Sequence, residues 1–359
     1  DADSEGVEGK YYTWGIEEVR ALLGDESETF CDVFDVSETG NWEQTNILWM
    51  PEPLEKFSDG KMGDWSASLE GSKAKLFEAR QQRIRPGLDD KIILGWNALM
   101  IKSLCKAYAA TGEQQYRQLA EFNISFLEKN LQKNEEPFFY HSWNKKISSQ
   151  EAFIDDYAAL IQAYLFLQEV TGTTNYLLKA KAIAERVMTE FGDDDTVLFN
   201  FTNRTQTDNI IKKREIYDGA TPSGNAVMAE NLMKLSLLFD VSEWRNRALQ
   251  MVGGIHDMAV KYPASFGFWC LNLQALVLGI EEIAILGGNY NQIAVEILAE
   301  YTPLKLLQSA ANQTDEWPLL RGKPVNEHKT MIFVCENYQC QQPVETVEQF
   351  RDIISRKHF

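Results

Sequence analysis

The feature that most constrains the fold is an alternation of two apolar patterns between residues 90 and 279. Four segments are apolar on most sides, a pattern typical of buried helices; they span residues 90–110, 155–170, 222–239 and 264–279. Three segments between them are apolar on one face only and therefore amphipathic; they span residues 113–131, 174–191 and 242–258. The alternation predicts two concentric layers of helices, with the buried set inside and the amphipathic set outside.

The joints between these helices repeat along the chain. Thr111-Gly112 is followed by Tyr116, and Thr171-Gly172 is followed by Tyr176 at the same spacing. Repeats of this kind indicate stacked helical hairpins. We therefore predict a mainly α fold, an (α/α) toroid of helical hairpins over residues 1–280, with an irregular segment at residues 1–66. Seven long toroid helices are fewer than a closed six-hairpin ring requires, so we expect an incomplete ring.

The pattern changes after Gly279, where short apolar runs replace the helical period. Residues 282–286, 304–307 and 330–334 are predicted strands, and residues 290–301 and 347–354 are predicted helices. This order is typical of a small α/β segment, which we assign to residues 281–359.

Carboxylates or small polar residues precede three of the buried helices. Asp89-Asp90 and Asp155-Asp156 stand before the first two, and Asp218 with Thr221-Pro222 stands before the third. Thr221 is the predicted N-cap of that helix, with Pro222 at its first position. Inner helices that run the same way would bring these three groups to one end of the toroid. The simplest interpretation is that they only cap helices, because anions are stabilised at helix N-termini.

The same groups also suit a sugar site. Asp156 and Asp218 are the predicted acid/base pair, and Asp90 completes the catalytic set, because paired carboxylates flank the bond in glycoside hydrolysis. Aromatic faces and amides match the CH faces and hydroxyl groups of a sugar. The predicted substrate-binding residues are Asp89, Trp96, Asn97, Asp155, Tyr157, Tyr217, Ser223, Asn225 and Trp269. Core packing is the alternative for Trp96 and Trp269.

Composition excludes some classes of partner. A formal charge of −18 and a pI near 4.8 argue against nucleic acid and an anionic membrane surface. A soluble, cytoplasmic protein is expected, since no apolar run is long enough to cross a membrane. Four histidines and the Cys335–Cys340 spacing do not fit a usual zinc site, so neither a metal nor a cofactor is predicted. A redox pair at Cys335 and Cys340 stays open.

Several motifs together resemble the YyaL family, which includes spermatogenesis-associated protein 20. They occur in the same order over nearly the whole chain, at residues 1–6, 9–14, 40–43, 88–91, 96–97, 155–157, 217–225 and 335–340. The resemblance implies a toroid related to N-acylglucosamine 2-epimerases and six-hairpin glycosidases. It also implies a thioredoxin-like N-terminal domain in the parent protein, of which this chain resembles the C-terminal half.

The epimerase relatives use histidines as acid and base. His141 lies in a predicted β-hairpin formed by residues 138–140 and 146–147, and could reach the pocket. A second hairpin is predicted before the third buried helix, from residues 197–201 and 210–211. No histidine is expected at the three helix starts themselves, so that mechanism is not carried over. Three hypotheses remain: a glycosidase-like or sugar-epimerase-like enzyme, a non-catalytic ligand- or partner-binding toroid coupled to the thioredoxin-like domain, and a purely structural set of helix caps.

Overall fold

The structure is a computed structural model that describes residues 2–57, 62–145, 150–206, 212–325, 329–337 and 339–357. The chain divides into two compact units, residues 1–90 and residues 91–359. Each unit has its own cluster of buried apolar side chains. The division predicted between residues 280 and 281 stays a prediction.

The first unit is small and partly irregular. Its elements are β1 (Asp3–Ser4), β2 (Val7–Glu8), α1 (Ile16–Leu23), α2 (Ser27–Val33) and α3 (Met62–Gln81). Phe30 and Phe34 stack in its core with ring centroids 4.4 Å apart. Arg83 donates hydrogen bonds to three backbone carbonyls of residues 10–13 and lies over the Trp14 ring at 4.0 Å. These contacts join the two ends of the unit.

The second unit contains the predicted hairpins. Its long helices are α4 (Leu94–Thr111), α5 (Gln114–Leu131), α6 (Ile154–Thr171), α7 (Asn175–Glu190), α8 (Gly224–Phe239), α9 (Ser242–Lys261) and α10 (Gly267–Leu278). Helices α6 and α8 are buried on nearly every side, whereas α5, α7 and α9 bury one face. The inner helices α4, α6, α8 and α10 pack in that succession, with the outer helices against them. The mainly α, toroid-type arrangement of hairpins is thus confirmed.

The repeated Thr-Gly joints have a structural cause. Gly112 and Gly172 follow the last residues of α4 and α6 with φ values of 71° and 70°. This left-handed conformation favours glycine. Their N–H groups donate to Tyr108 O and Gln168 O, which closes each helix. The repeat therefore marks two equivalent helix ends.

The C-terminal part is the predicted α/β segment. Its elements are β5 (Glu281–Leu286), α11 (Tyr290–Ala299), β6 (Lys305–Ala310), β7 (Met331–Glu336), β8 (Gln339–Cys340) and α12 (Val347–Lys357), and two short strands elsewhere in the unit are β3 (Ile92–Ile93) and β4 (Ser142–Trp143). The sheet order is β6-β5-β7-β8, with β5 parallel to β6 and antiparallel to β7. A disulfide joins Cys335 to Cys340 across β7 and β8.

Three predicted starts of inner helices are wrong. Helix α10 begins at Gly267 rather than residue 264, because residues 263–265 form a separate 3-10 helix. Helix α4 begins at Leu94 rather than residue 90, because Ile92–Ile93 pairs with Ser142–Trp143 as an extended segment. Helix α8 begins at Gly224, and its N-cap is Ser223, whose Oγ accepts the Ala226 N–H at 3.4 Å. Thr221 is therefore not the N-cap, and Pro222 is not the first helical residue.

The two predicted hairpins before α6 and α8 are only partly described. Residues 146–147 and 210–211 lie outside the described residues. Isolated bridges join Phe139 to Gln132 and Tyr140 to Glu151. Residues 197–201 form bends and irregular backbone rather than the predicted strand. Phe201 N nevertheless donates to Lys213 O at 2.8 Å. Among the described helices, none has the length and apolarity needed to cross a bilayer.

Candidate functional site

The inner helices of the second unit start around one cavity of about 230 Å³. We call it the helix-mouth pocket. Its lining includes Gly95, Trp96, His141, Phe153, Asp155, Asp156, Phe201, Pro222 and Gly224. Of the residues singled out in the sequence for a sugar site, Trp96, Asp155 and Asp156 line it.

Carboxylates connect the starts of neighbouring inner helices. The contacts are Asp156 Oδ1 with Gly95 N at 2.9 Å, Asp155 Oδ1 with Gly224 N at 3.0 Å, and Asp218 Oδ2 with Phe268 N at 2.7 Å. Each N–H belongs to the first turn of a helix, where backbone donors have no partner within the helix. The carboxylates therefore bind α4 to α6, α6 to α8, and the segment before α8 to α10.

Two glycines make these contacts possible. A Cβ atom at Gly224 would lie 2.2 Å from Asp155 Oδ1, and one at Gly95 would lie 2.7 Å from Asp156 Oδ1. Both distances are too short for real side chains, and a Cβ atom at Gly224 would also lie 3.0 Å from the Asp155 backbone. Only glycine allows the helix starts to approach this closely.

Asp156 uses both carboxylate oxygens within the protein. Its Oδ1 accepts the Gly95 N–H, while its Oδ2 accepts the Phe153 N–H at 2.9 Å and contacts His141 Nδ1 at 2.7 Å. The residue is only 4% exposed. These contacts fix the Asp156 carboxyl at the pocket wall and hold the His141 ring.

His141 is the histidine that the sequence argument did not expect at a helix start. Its backbone carbonyl accepts the Leu94 N–H at 2.9 Å, which places it beside the first turn of α4. The hydrogen bond that His141 donates to Asp156 raises the pKa of His141 above its usual value, against the opposing effect of burial. Because Asp156 occupies Nδ1, Nε2 is the ring nitrogen left to exchange a proton with a ligand.

Asp155 is the second ionisable group of the pocket. Burial raises the pKa of its carboxyl to about 6, and the nearby Asp156 charge acts in the same direction. The Gly224 N–H that it accepts opposes this rise. A carboxyl with a raised pKa in a cavity is suited to give or take a proton near neutral pH.

Aromatic side chains form part of the pocket wall. Trp96 is 67% exposed although it lies at the start of an inner helix. The rings of Phe153 and Phe201 stack with centroids 4.7 Å apart, and His141 lies 4.9 Å from Phe153. The sequence argument missed Phe153 and Phe201, whose apolar character alone does not distinguish a wall residue from a core residue.

Other predicted site residues make internal contacts and do not line the pocket. Asn225 is fully buried. Its Oδ1 accepts the Phe199 N–H at 2.7 Å, and its Nδ2 donates to Phe199 O at 3.0 Å. The hydroxyl of buried Tyr157 accepts the Phe139 N–H at 3.1 Å. Trp269 Nε1 donates to Ile216 O at 2.8 Å. These contacts are of the kind that holds a core and its loops together.

The remaining predicted residues are also placed by the structure. Asn97 donates to Ile93 O at 2.9 Å, and Ser223 caps α8. Tyr217 is 56% exposed and packs against Phe266. Asp89 and Asp90 are exposed residues at the end of the first unit, so they do not belong to the first turn of α4. A role for any of these residues in ligand binding stays a prediction.

Comparison with known proteins adds a family match. Residues 94–235 match the N-acylglucosamine 2-epimerase (GlcNAc 2-epimerase) family. The chain is 26% identical to an uncharacterized protein of Caenorhabditis elegans, covering 98% of this chain and 52% of the relative. It is 24% identical to spermatogenesis-associated protein 20 of Rattus norvegicus, covering 99% and 51%, and 22% identical to the Homo sapiens protein of that name, covering 97% and 49%. The chain thus spans about half the length of these relatives.

Solved structures give more distant similarities. A sugar epimerase from a ruminal bacterium aligns with a TM-score of 0.38 at 14% identity, over 48% of this chain and 46% of that one. The GH76 α-mannanase BT2949 of Bacteroides thetaiotaomicron aligns with a TM-score of 0.38 at 14% identity, over 54% and 52%.

Proposed function

We propose that this chain, a homologue of the proteins named spermatogenesis-associated protein 20, binds a sugar-like ligand in its helix-mouth pocket and performs acid–base chemistry on it. The observation that carries the proposal is the 2.7 Å contact between Asp156 and His141 beside the carboxyl of Asp155. The match of residues 94–235 to the N-acylglucosamine 2-epimerase family supports a sugar as the ligand class.

The proposed roles differ from those assigned by spacing. Asp156 and Asp218 each use both oxygens for internal contacts; those of Asp218 accept from Ser223 N at 2.9 Å and Phe268 N at 2.7 Å. We therefore assign them to positioning. His141 and Asp155 take the acid and base roles, because both line the cavity and both have raised pKa values. Such a pair can remove a proton beside a carbonyl and return one.

The pocket favours a small ligand. Its volume of about 230 Å³ is below the roughly 300–1,000 Å³ typical of sites for drug-sized molecules. The exposed face of Trp96 and the Phe153 ring offer apolar surfaces for the CH face of a sugar. Asp155 and His141 offer polar groups for its hydroxyls.

A second candidate function is ligand binding without turnover. It is favoured by the internal engagement of Asp156 and Asp218, which leaves fewer groups for chemistry than the sequence suggested. A non-catalytic toroid coupled to a thioredoxin-like domain in the parent protein would fit this candidate.

Thermal unfolding against a panel of neutral and amino sugars tests binding first. A sugar that binds only the folded chain raises the unfolding midpoint. We expect one sugar to do so, and expect Asp155→Asn to abolish that rise while the circular dichroism spectrum is unchanged. If neither this chain nor a full-length parent responds to any sugar, the proposal fails.

Solvent exchange then separates the two functions. The bound sugar is incubated with the chain in D₂O, and deuterium incorporation is followed by proton NMR. We expect incorporation with the native chain and at least about a hundredfold less with His141→Gln, the lower end of what a general acid or base contributes. Binding with no incorporation by the native chain would favour the non-catalytic candidate.

A further inference from the structure

The second unit contains another cavity, of about 500 Å³, which shares no lining residue with the helix-mouth pocket. It is lined by the C-terminal halves of α4 and α6, by the middle of α8, by α10 and by residues 298–305. The proposed sugar chemistry does not use it.

Lysines converge on this cavity, which we call the lysine cavity. They are Lys102, Lys106, Lys234 and Lys305, and they share the lining with Glu169, Glu230 and Glu300. Glu300 is paired with Arg351 at 2.7 Å. The chain as a whole carries a formal charge of −18, so an excess of lysine here runs against its average composition.

Two of the lysines belong to a chain of polar contacts that connects three inner helices. Lys102 Nζ donates to Gln162 Oε1 at 2.9 Å, and Gln162 Nε2 donates to Glu230. Lys234 Nζ contacts Glu230 Oε1 at 2.9 Å. Glu230 thus neutralises one ammonium group, while Lys102 has only a neutral amide as its partner. Each ammonium group carries three N–H donors, so both lysines keep donors for a further acceptor.

The other two lysines have weaker electrostatic support, in which Glu169 and Glu300 favour the charged form of Lys305 through space. In the part of the chain that the structure describes, Lys106 Nζ and Lys305 Nζ have neither a hydrogen-bond nor an ion-pair partner. Lys102, Lys106 and Lys234 also gather around one ring, with their Nζ atoms 5.6, 5.6 and 5.3 Å from the Phe166 centroid. Positive charges brought this close repel one another, and a bound anion would remove that repulsion.

The pKa shifts of the cavity residues agree with the close approach of the lysine side chains. Burial lowers the pKa of Lys102 to about 8, and the Lys106 and Lys234 charges act in the same direction against Glu230. Burial likewise lowers the pKa of Lys305. Burial raises the pKa of Glu169, which favours its uncharged form. Glu230 and Glu169 raise the pKa of Lys234, but the carboxylates of the cavity do not offset the effect of burial at Lys102 and Lys305.

Much of the remaining wall is apolar. Phe166, Met233, Phe268, Leu271 and Ala275 contribute to the lining. Lys102 Nζ lies 5.6 Å from the Phe268 centroid as well, so the charged and aromatic parts adjoin. A free inorganic ion would leave this apolar surface uncovered.

We propose that the lysine cavity binds a small organic anion. Its phosphate or carboxylate group is held by Lys102, Lys106 and Lys305, and its apolar part packs on Phe166 and Phe268. The lysine side chains would otherwise serve only to offset the negative C-terminal ends of the inner helices, and in that case no anion binds.

Calorimetric titration with three probes of similar apolar body tests the proposal. Phenyl phosphate and benzoate carry the two anionic groups, and benzyl alcohol is the neutral comparison. We expect one or both anions to bind more tightly than the alcohol, and the stronger of the two identifies the anionic group. Equal binding of all three probes, or no binding of either anion at millimolar concentration, would overturn the proposal.

Variants locate the binding. The double variant Lys106→Gln with Lys305→Gln removes two charges without breaking any described hydrogen bond or ion pair. We expect it to weaken anion binding about tenfold or more, because charge-assisted hydrogen bonds are lost. The matched control, Lys129→Gln with Lys261→Gln, makes the same charge change at exposed sites on outer helices and is expected to change binding less than about twofold. Equal weakening in both would place the anion elsewhere.

The test of anion binding in the lysine cavity does not depend on the sugar proposal. Asp155→Asn is expected to remove the sugar response and to leave anion binding unchanged. If the single variants Lys106→Gln and Lys305→Gln, which keep one of the two charges each, both bind phenyl phosphate like the native chain, the assignment of the lysines is wrong.

Discussion

At the residue scale, two adjacent aspartates have different tasks. Asp155 and Asp156 follow each other in the chain, but their side chains contact helices on opposite sides of α6. Asp156 is enclosed by donors, and Asp155 lines the cavity with a carboxyl whose pKa burial raises. Their spacing in sequence could not separate the two roles, because the difference lies in which neighbouring helix each one reaches.

The Asp156→Asn variant should lower the pKa of His141, because an amide does not stabilise the imidazolium as a carboxylate does. Proton NMR titration of the His141 ring measures this change. The native pair stabilises the fold fully below the unfolded histidine pKa of about 6.5, and that stabilisation is lost as pH rises through the raised folded value. An unchanged His141 pKa in a folded variant would contradict the positioning role of Asp156.

The Asp155→Asn variant should remove a charge that destabilises the fold, whereas Asp156→Asn removes one that stabilises it. The raised pKa of Asp155 means that the folded chain holds its proton more tightly, so the ionised carboxylate costs stability as pH rises from about 4 through about 6. Asparagine keeps an oxygen for the Gly224 N–H and removes that charge. We expect an unfolding midpoint equal to or above that of the native chain at pH 8, with a smaller advantage at pH 5. A lower midpoint at pH 8 would show that the charge itself stabilises the fold.

At the element scale, helix alternation was predictable and helix starts were not. Apolar periodicity reports burial directly, so the bounds of α5, α6 and α7 differ from the predicted ones by at most one residue at each end. The starts of α4 and α8 depend on local competition instead. Ile92–Ile93 joins a strand, and Ser223 rather than Thr221 provides the capping oxygen. His141 was expected to be able to reach the pocket, and it lines it, but its place beside the start of α4 depends on backbone pairing that periodicity does not report.

Two glycine substitutions should have opposite effects on stability, because only one of these glycines lies at a close contact between helix starts. Gly224→Ala should destabilise the chain by about 1–3 kcal/mol, as overpacking does, because the new Cβ would lie 2.2 Å from Asp155 Oδ1. Gly253→Ala in α9 has open space around its Cβ and should stabilise by up to about 1 kcal/mol through helix propensity. Urea unfolding of both variants measures the difference. A tolerated Gly224→Ala would mean that α6 and α8 separate easily.

At the scale of the whole molecule, the two units have separate apolar cores. The buried cluster of the first unit involves residues 14–76, and that of the second involves residues 94–354. Sequence periodicity suggested a boundary near residue 280, because the helical period ends there. The helices and the C-terminal sheet nevertheless share one buried cluster, and such tertiary packing leaves no trace in local periodicity.

Residues 91–359 expressed alone should therefore fold. We expect a helical circular dichroism spectrum and a single cooperative thermal transition, because the unit keeps its own core. The sugar response of the helix-mouth pocket, if the native chain has one, should persist in this fragment. A broad transition with exposed apolar surface would show that the unit depends on residues 1–90.

The carboxylate contacts between helix starts also couple proton exchange in the pocket to the packing of neighbouring helices. Asp155 accepts the first N–H of α8 with the same carboxyl that titrates in the cavity. An ionised carboxylate is a stronger acceptor than a protonated one. A ligand that takes this proton therefore strengthens the contact between α6 and α8, and a ligand that gives a proton weakens it. By reciprocity, a weaker contact changes how readily the ligand exchanges the proton. The protonation state of Asp155 in a ligand complex and the strength of the α6–α8 contact are therefore thermodynamically coupled.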